Sequence, residues 1–121
     1  MTIHEFLALV QNTQIDQHRI YCVEQVYGKI NDELTKKILS LNLNDYFFES
    51  EDFLRLLSIE DILNASKNLK VDFVSQKIIP FFDVGDNDFI VYHIESRVWS
   101  YMNIVDETCF SETDALDNLL K

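Results

Sequence analysis

At 121 residues the chain is sized for one domain with a single hydrophobic core, and 47% apolar residues with only two Gly and one Pro exclude a low-complexity or disordered protein. Twenty-one acidic against ten basic residues leave a net charge of −11, a field that argues against direct nucleic-acid binding because it repels phosphate. Cys22 and Cys109 stand in no metal-like spacing, so neither a zinc site nor a disulfide framework is expected. No apolar run approaches the ~18 residues that a membrane span requires. Glu5 interrupts the N-terminus before a signal-type stretch can form, and a cytoplasmic protein is expected.

The first half reads as helices. Thr2 and Glu5 make a capping box, and Ile3, Phe6, Leu7 and Val10 follow on one helical face. Asn12 and Thr13 break that pattern, and a second helix is expected from near Asp16, carrying Ile20, Val23, Val26 and Tyr27 and ending on Gly28 in a left-handed conformation. Asn31 can cap a third helix with Leu34, Ile38 and Leu41 inward and Lys36 and Lys37 outward. Tyr46-Phe47-Phe48 and Phe53-Leu54-Arg55-Leu56-Leu57 read as strands or extended segments. Ser58 with Asp61 then caps a short helix running to about Asn68.

The second half reads as antiparallel sheet. Ile78-Ile79-Pro80-Phe81-Phe82 is a strand, placed by Pro80 at an edge or near a strand start. Residues 83–88 form an acidic turn around Gly85. Residues 89–94 and 97–104 alternate as a hairpin about Glu95-Ser96, or about a longer loop with the same register. Tyr92 then faces Trp99 and Ile90 faces Tyr101, with His93/Val98, Val91/Ser100 and Phe89/Met102 on the opposite side. A third capping box, Ser111 with Asp114, opens a C-terminal helix lined by Ala115, Leu116, Leu119 and Leu120. The fold class is α+β: a central antiparallel sheet, with N-terminal helices and a C-terminal helix packed around it.

The ordered series Tyr27-Gly28, Ser58-Ile59-Glu60-Asp61-Ile62, Ile78-Ile79-Pro80-Phe81, the acidic Gly turn, Phe89-Ile90-Val91-Tyr92, Val98-Trp99 and Phe110-Ser111-Glu112-Thr113-Asp114-Ala115-Leu116 resembles the SUKH superfamily over residues 16–120. That superfamily holds bacterial toxin-immunity proteins and a fungal cell-wall-synthesis regulator. Two features of its pattern are missing: Ile30-Asn31 stands where a Leu-Pro step is usual, and the Gly-rich stretch after the second helix is absent. The resemblance implies an α+β fold and a non-enzymatic binding role, commonly the neutralisation of a co-encoded toxin, often a nuclease. It implies no cofactor.

Candidate contact residues fall in three groups. Asp83, Asp86 and Asp88 offer hard oxygen ligands, but their offsets do not fit an EF-hand loop. They read either as a solvated turn or as a negative face for Lys and Arg of a basic protein partner. Glu49, Glu51 and Asp52 beside Tyr46, Phe47 and Phe48 are either a hot spot with a polar rim or a solvated loop over core aromatics. Tyr92, Trp99 and Tyr101 form an aromatic platform if helices leave their face open, and core if helices cover it. The acidity itself either steers a basic partner or only maintains solubility. Against an immunity role stand two alternatives, a scaffold or regulatory module and a small hydrolase using His93 with Asp88 or Glu95.

Overall fold

The computed structural model describes residues 1–41, 46–48 and 53–120. Helix α1 (Ile3–Gln11) begins where Glu5 N donates to Thr2 Oγ1 at 3.1 Å and Thr2 N donates to Glu5 Oε1 at 3.2 Å. Each bond satisfies an amide that the first turn leaves without a helical partner. Phe6 and Val10, one turn apart, are fully buried. Helix α2 (Gln17–Tyr27) is capped by Asp16, as the sequence indicates, and ends on Gly28. The backbone there takes φ 111° and ψ 174° instead of the left-handed conformation expected, a region essentially closed to residues with a Cβ.

Helix α3 (Glu33–Leu39) is capped by Asp32, one residue later than expected. Asp32 Oδ2 accepts from both the amide and the hydroxyl of Thr35, at 2.9 and 2.6 Å. The C-terminal end of α3 is held by Arg19 of α2, whose Nε and Nη2 donate to the carbonyls of Leu39 and Leu41, both at 2.9 Å. This places a cation where the helix dipole and the last carbonyls favour one.

Beyond Ser58, which caps as expected, the chain makes three short helices: α4 (Ile59–Leu63), α5 (Ala65–Leu69) and α6 (Phe73–Gln76). The break between α4 and α5 falls at Asn64, whose side chain donates back to the carbonyl of Glu60 at 2.9 Å and competes with a continuing helix. Tyr27 docks α2 on α4 by donating its hydroxyl to the Ile62 carbonyl at 2.6 Å. Burial pushes the pKa of that phenol up.

Among the described residues six strands form one antiparallel sheet in sequence order: β1 (Tyr46–Phe47), β2 (Arg55–Leu56), β3 (Ile78–Gly85), β4 (Asp88–His93), β5 (Val98–Asn103) and β6 (Cys109–Thr113). All five inferred β4–β5 pairs are present, from His93 opposite Val98 to Phe89 opposite Met102. The connection is the longer loop: Arg97 takes φ 58° and donates its amide to the His93 carbonyl at 2.8 Å. Strand β3 runs further than expected, and only Asp86 and Asn87, with φ 53° and 65°, form the turn. Two successive positive-φ residues match the twist of a two-residue hairpin. Pro80, the third residue of β3, lies near a strand start, the second of the two positions expected. It pairs with Val91 beside a bulge and beyond the short ladder between β2 and β3, a position where a missing amide is tolerated.

The C-terminal helix is reduced to a single 3-10 turn, Leu116–Asn118. Residues expected to open the helix instead form β6, with Ser111 at φ 60°. Leu116, Leu119 and Leu120 are buried all the same.

The core is built on aromatic contacts across the sheet and onto α1. Trp99 lies 4.9 Å from Tyr92 and 5.2 Å from Phe81, centroid to centroid. Phe6 meets Phe48 and Phe82 edge-on at 5.0 and 5.9 Å. No helix among the described residues is long and apolar enough to cross a membrane.

Candidate partner-binding groove

The acidic turn sits at one end of the sheet, beside two adjoining clefts that share Leu69, Asp83 and Phe89. The first, of about 180 Å³, has Leu57, Ala65, Leu69 and Phe89 as its apolar lining and Arg55, Asp61 and Asp83 as its charged one. The second, of about 380 Å³, lies between Phe53, Ile104 and the hairpin residues Gly85, Asp86 and Asn87. Phe53 is exposed over nearly half its surface. The groove thus combines an apolar floor with a carboxylate rim.

The three turn carboxylates have different duties. Asp83 belongs to β3; its Oδ1 accepts from the Gly85 amide at 2.9 Å and its Oδ2 lies 3.6 Å from Arg55 Nη2. Arg55 also donates to Asp61 Oδ2 at 3.3 Å, so one guanidinium links two carboxylates along the groove. Asp88 accepts from Asn103 Nδ2 at 2.9 Å, across the ladder that pairs the two residues. Asp86, at the turn apex, is exposed and makes no hydrogen bond or ion pair among the described residues. A partner's Lys or Arg fits this chemistry: its aliphatic stem can lie on Phe53 and Leu69 while its head reaches the carboxylates.

Tyr92, Trp99 and Tyr101 do not join this site. Tyr92 and Trp99 are core, at 1% and 2% exposure, because both faces of β4 and β5 are covered. Val91, Ser100 and Met102 on the opposite face are equally sealed. The aromatic platform is therefore absent at those two positions. Tyr101 is half-buried, donates its hydroxyl to the Leu119 carbonyl at 2.8 Å, and stacks at 5.4 Å on the exposed Phe110. Glu49, Glu51 and Asp52 lie outside the described residues.

Sequence reasoning missed Arg55, Asp61 and Phe89 as members of the groove. One signal was present: Arg55 is the only basic residue between Lys37 and Lys67. A second regularity is visible in the same way. Residues 98–120 hold five carboxylates and no Lys, Arg or His, so the negative charge of the β5–β6 loop, β6 and the chain after it has no balancing base within that stretch.

His93 shares a 2.8 Å hydrogen bond with Ser100 Oγ, and Ser100 is fully buried. Neither Asp88 nor Glu95 is its partner among the hydrogen bonds of the described residues. Burial lowers the His93 pKa, against a smaller upward pull from Glu112. The folded state therefore binds this proton less readily than the unfolded chain does. The resulting stability is fully present above the unfolded value of about 6.5 and is lost as pH falls from there through the folded pKa. His93→Gln should flatten that part of the profile, making the fall in Tm between about pH 7 and pH 5 shallower than in the parent. Parallel profiles for the two proteins would remove His93 from the account.

Among the described residues no group of three or more His, Cys, Asp or Glu is arranged to hold a metal ion. Comparison of the chain with family models, with curated proteins and with solved structures gave no match.

Proposed function

We propose that this protein is a non-enzymatic, cytoplasmic binding domain, an immunity protein that neutralises a cationic toxin domain by covering its active site. The observation that carries the reading is the setting of the carboxylates at two places. They rim an apolar groove at the acidic turn and run without a balancing base through residues 98–120. The resemblance of the element order to the SUKH superfamily supports the same reading. Charge complementarity of this kind accelerates encounter and selects against wrong partners more than it adds raw affinity.

The test is binding to a basic toxin domain encoded beside this chain, followed by surface plasmon resonance at several salt concentrations. The expected result is nanomolar or tighter binding, with an association rate that falls steeply as salt rises. A micromolar interaction indifferent to salt would overturn the proposal. Asp86→Asn offers a local version of the same experiment, because Asp86 is exposed and Asn removes the charge while keeping a residue that tolerates the positive φ of the turn. It should slow association several-fold while leaving Tm within about 1 °C of the parent, since a rim charge acts chiefly on the on-rate. An unchanged on-rate would take the groove out of the interface.

A further inference from the structure

The sheet ends on β6, and nothing among the described residues pairs with its outer side. Four of its five residues are exposed, Cys109, Phe110, Ser111 and Glu112, although one face of the Phe110 ring rests on Tyr101. The ladder fixes which backbone groups point outward. Asn103 N donates to the Thr108 carbonyl at 2.9 Å, and Met102 pairs with Cys109 and Tyr101 with Phe110. Hydrogen-bonded and non-bonded pairs alternate along an antiparallel ladder, so the amide and carbonyl of Phe110 turn towards β5 while those of Cys109 turn towards solvent.

An open strand edge normally recruits any extended chain, and proteins guard against this with charges and bulges. Both guards are present, and the charged one has a single sign. Ser111 at φ 60° interrupts the ladder, and Asp106, Glu107, Glu112 and Asp114 flank the strand as exposed carboxylates with no basic residue among them. A second copy of this chain would bring the same carboxylates against themselves, each copy carrying a net charge of −11. An acidic or neutral strand gains nothing from the flanks. A basic one gains on both sides of the edge.

We infer that β6 is a docking strand for an extended, Lys- or Arg-rich segment of the protein partner, which adds to the sheet beside Cys109 and packs a side chain on the exposed ring of Phe110. Backbone hydrogen bonds would supply the register and alternate side chains the selectivity. This inference rests on the reading of the chain as a binder of a cationic protein; it does not depend on that protein being a toxin.

The probe is a blocked eight-residue peptide alternating Lys and Val, with a Glu–Val peptide as its control. Amide exchange and chemical-shift changes are followed by NMR on the full chain. The expected result is that the Lys peptide slows exchange of the Cys109 amide by about tenfold or more and shifts Cys109, Phe110 and Ser111, while the Glu peptide does neither. Glu112→Lys, an exposed substitution, should weaken the Lys peptide by about fivefold or more. If the Lys peptide instead moves Gly85 and Asp86 and leaves Cys109 unprotected, the edge proposal fails and the cationic-binder reading stands. If it moves nothing, both fail.

Discussion

Trp99→Ala is expected to lower the unfolding free energy by about 3–5 kcal/mol, the range for truncating a buried aromatic. Trp99 is only 2% exposed and rests against Tyr92 and Phe81 at 4.9 and 5.2 Å. These neighbours sit on two adjacent strands, β3 and β4, and cannot all shift into the space vacated. Most of the volume would remain as a cavity, which is why the upper part of the range applies. Urea unfolding of the parent and the variant measures the loss directly. The same experiment separates two roles for this residue. A tryptophan serving as a contact platform would leave stability nearly unchanged and reduce partner binding, whereas a core tryptophan does the reverse.

Arg19→Met should cost about 2–3 kcal/mol, most of it from two charge-assisted hydrogen bonds, since each such bond is worth roughly 1.5–3 kcal/mol before exposure discounts it. The aliphatic part of the side chain is conserved in this substitution, so packing is largely preserved. What disappears is the fork that holds the carbonyls of Leu39 and Leu41. Arg19→Lys recovers only part of the loss, because one ammonium cannot reproduce a planar donor pair. Thermal unfolding of the three proteins should therefore rank Arg above Lys above Met. Equal stability for Lys and Arg would show that charge near the helix end, and not the paired geometry, is what matters.

The parts of the fold legible in the sequence are those where a local rule and the tertiary environment agree. The Thr2–Glu5 and Ser58–Asp61 signatures mark real helix starts because each is followed by residues that bury one face. The β4–β5 register is readable because both strands are long enough for alternation to fix it, and aromatic residues fall opposite one another. Ser111 and Asp114 carry the same capping signature and mislead. Residues 109–112 are all exposed, so their side chains show no alternation, and pairing with β5 overrides the local preference for a helix start. Asp32 displaces Asn31 as a cap because Thr35, three residues on, returns a second hydrogen bond through its hydroxyl.

The candidate site was legible in part. Asp83 and Asp86 reach the groove, but the acidic run gave no hint that Asp83 would be engaged by Arg55, twenty-eight positions earlier. That pairing follows from β2 lying against β3 with Arg55 opposite Asp83, a long-range register no local pattern encodes. Tyr92 and Trp99 failed as surface residues for a related reason. Alternation reveals that two side chains share a face, and only the packing of helices decides whether that face meets water.

Each strand of the sheet is bonded to the one synthesised just before it, from β1 through to β6. No segment has to be threaded between two others already joined, and from β3 onward every closure spans only a short stretch of chain, where the entropy lost on joining the ends is small. From β3 onward the sheet can therefore grow in the direction of translation, one hairpin at a time.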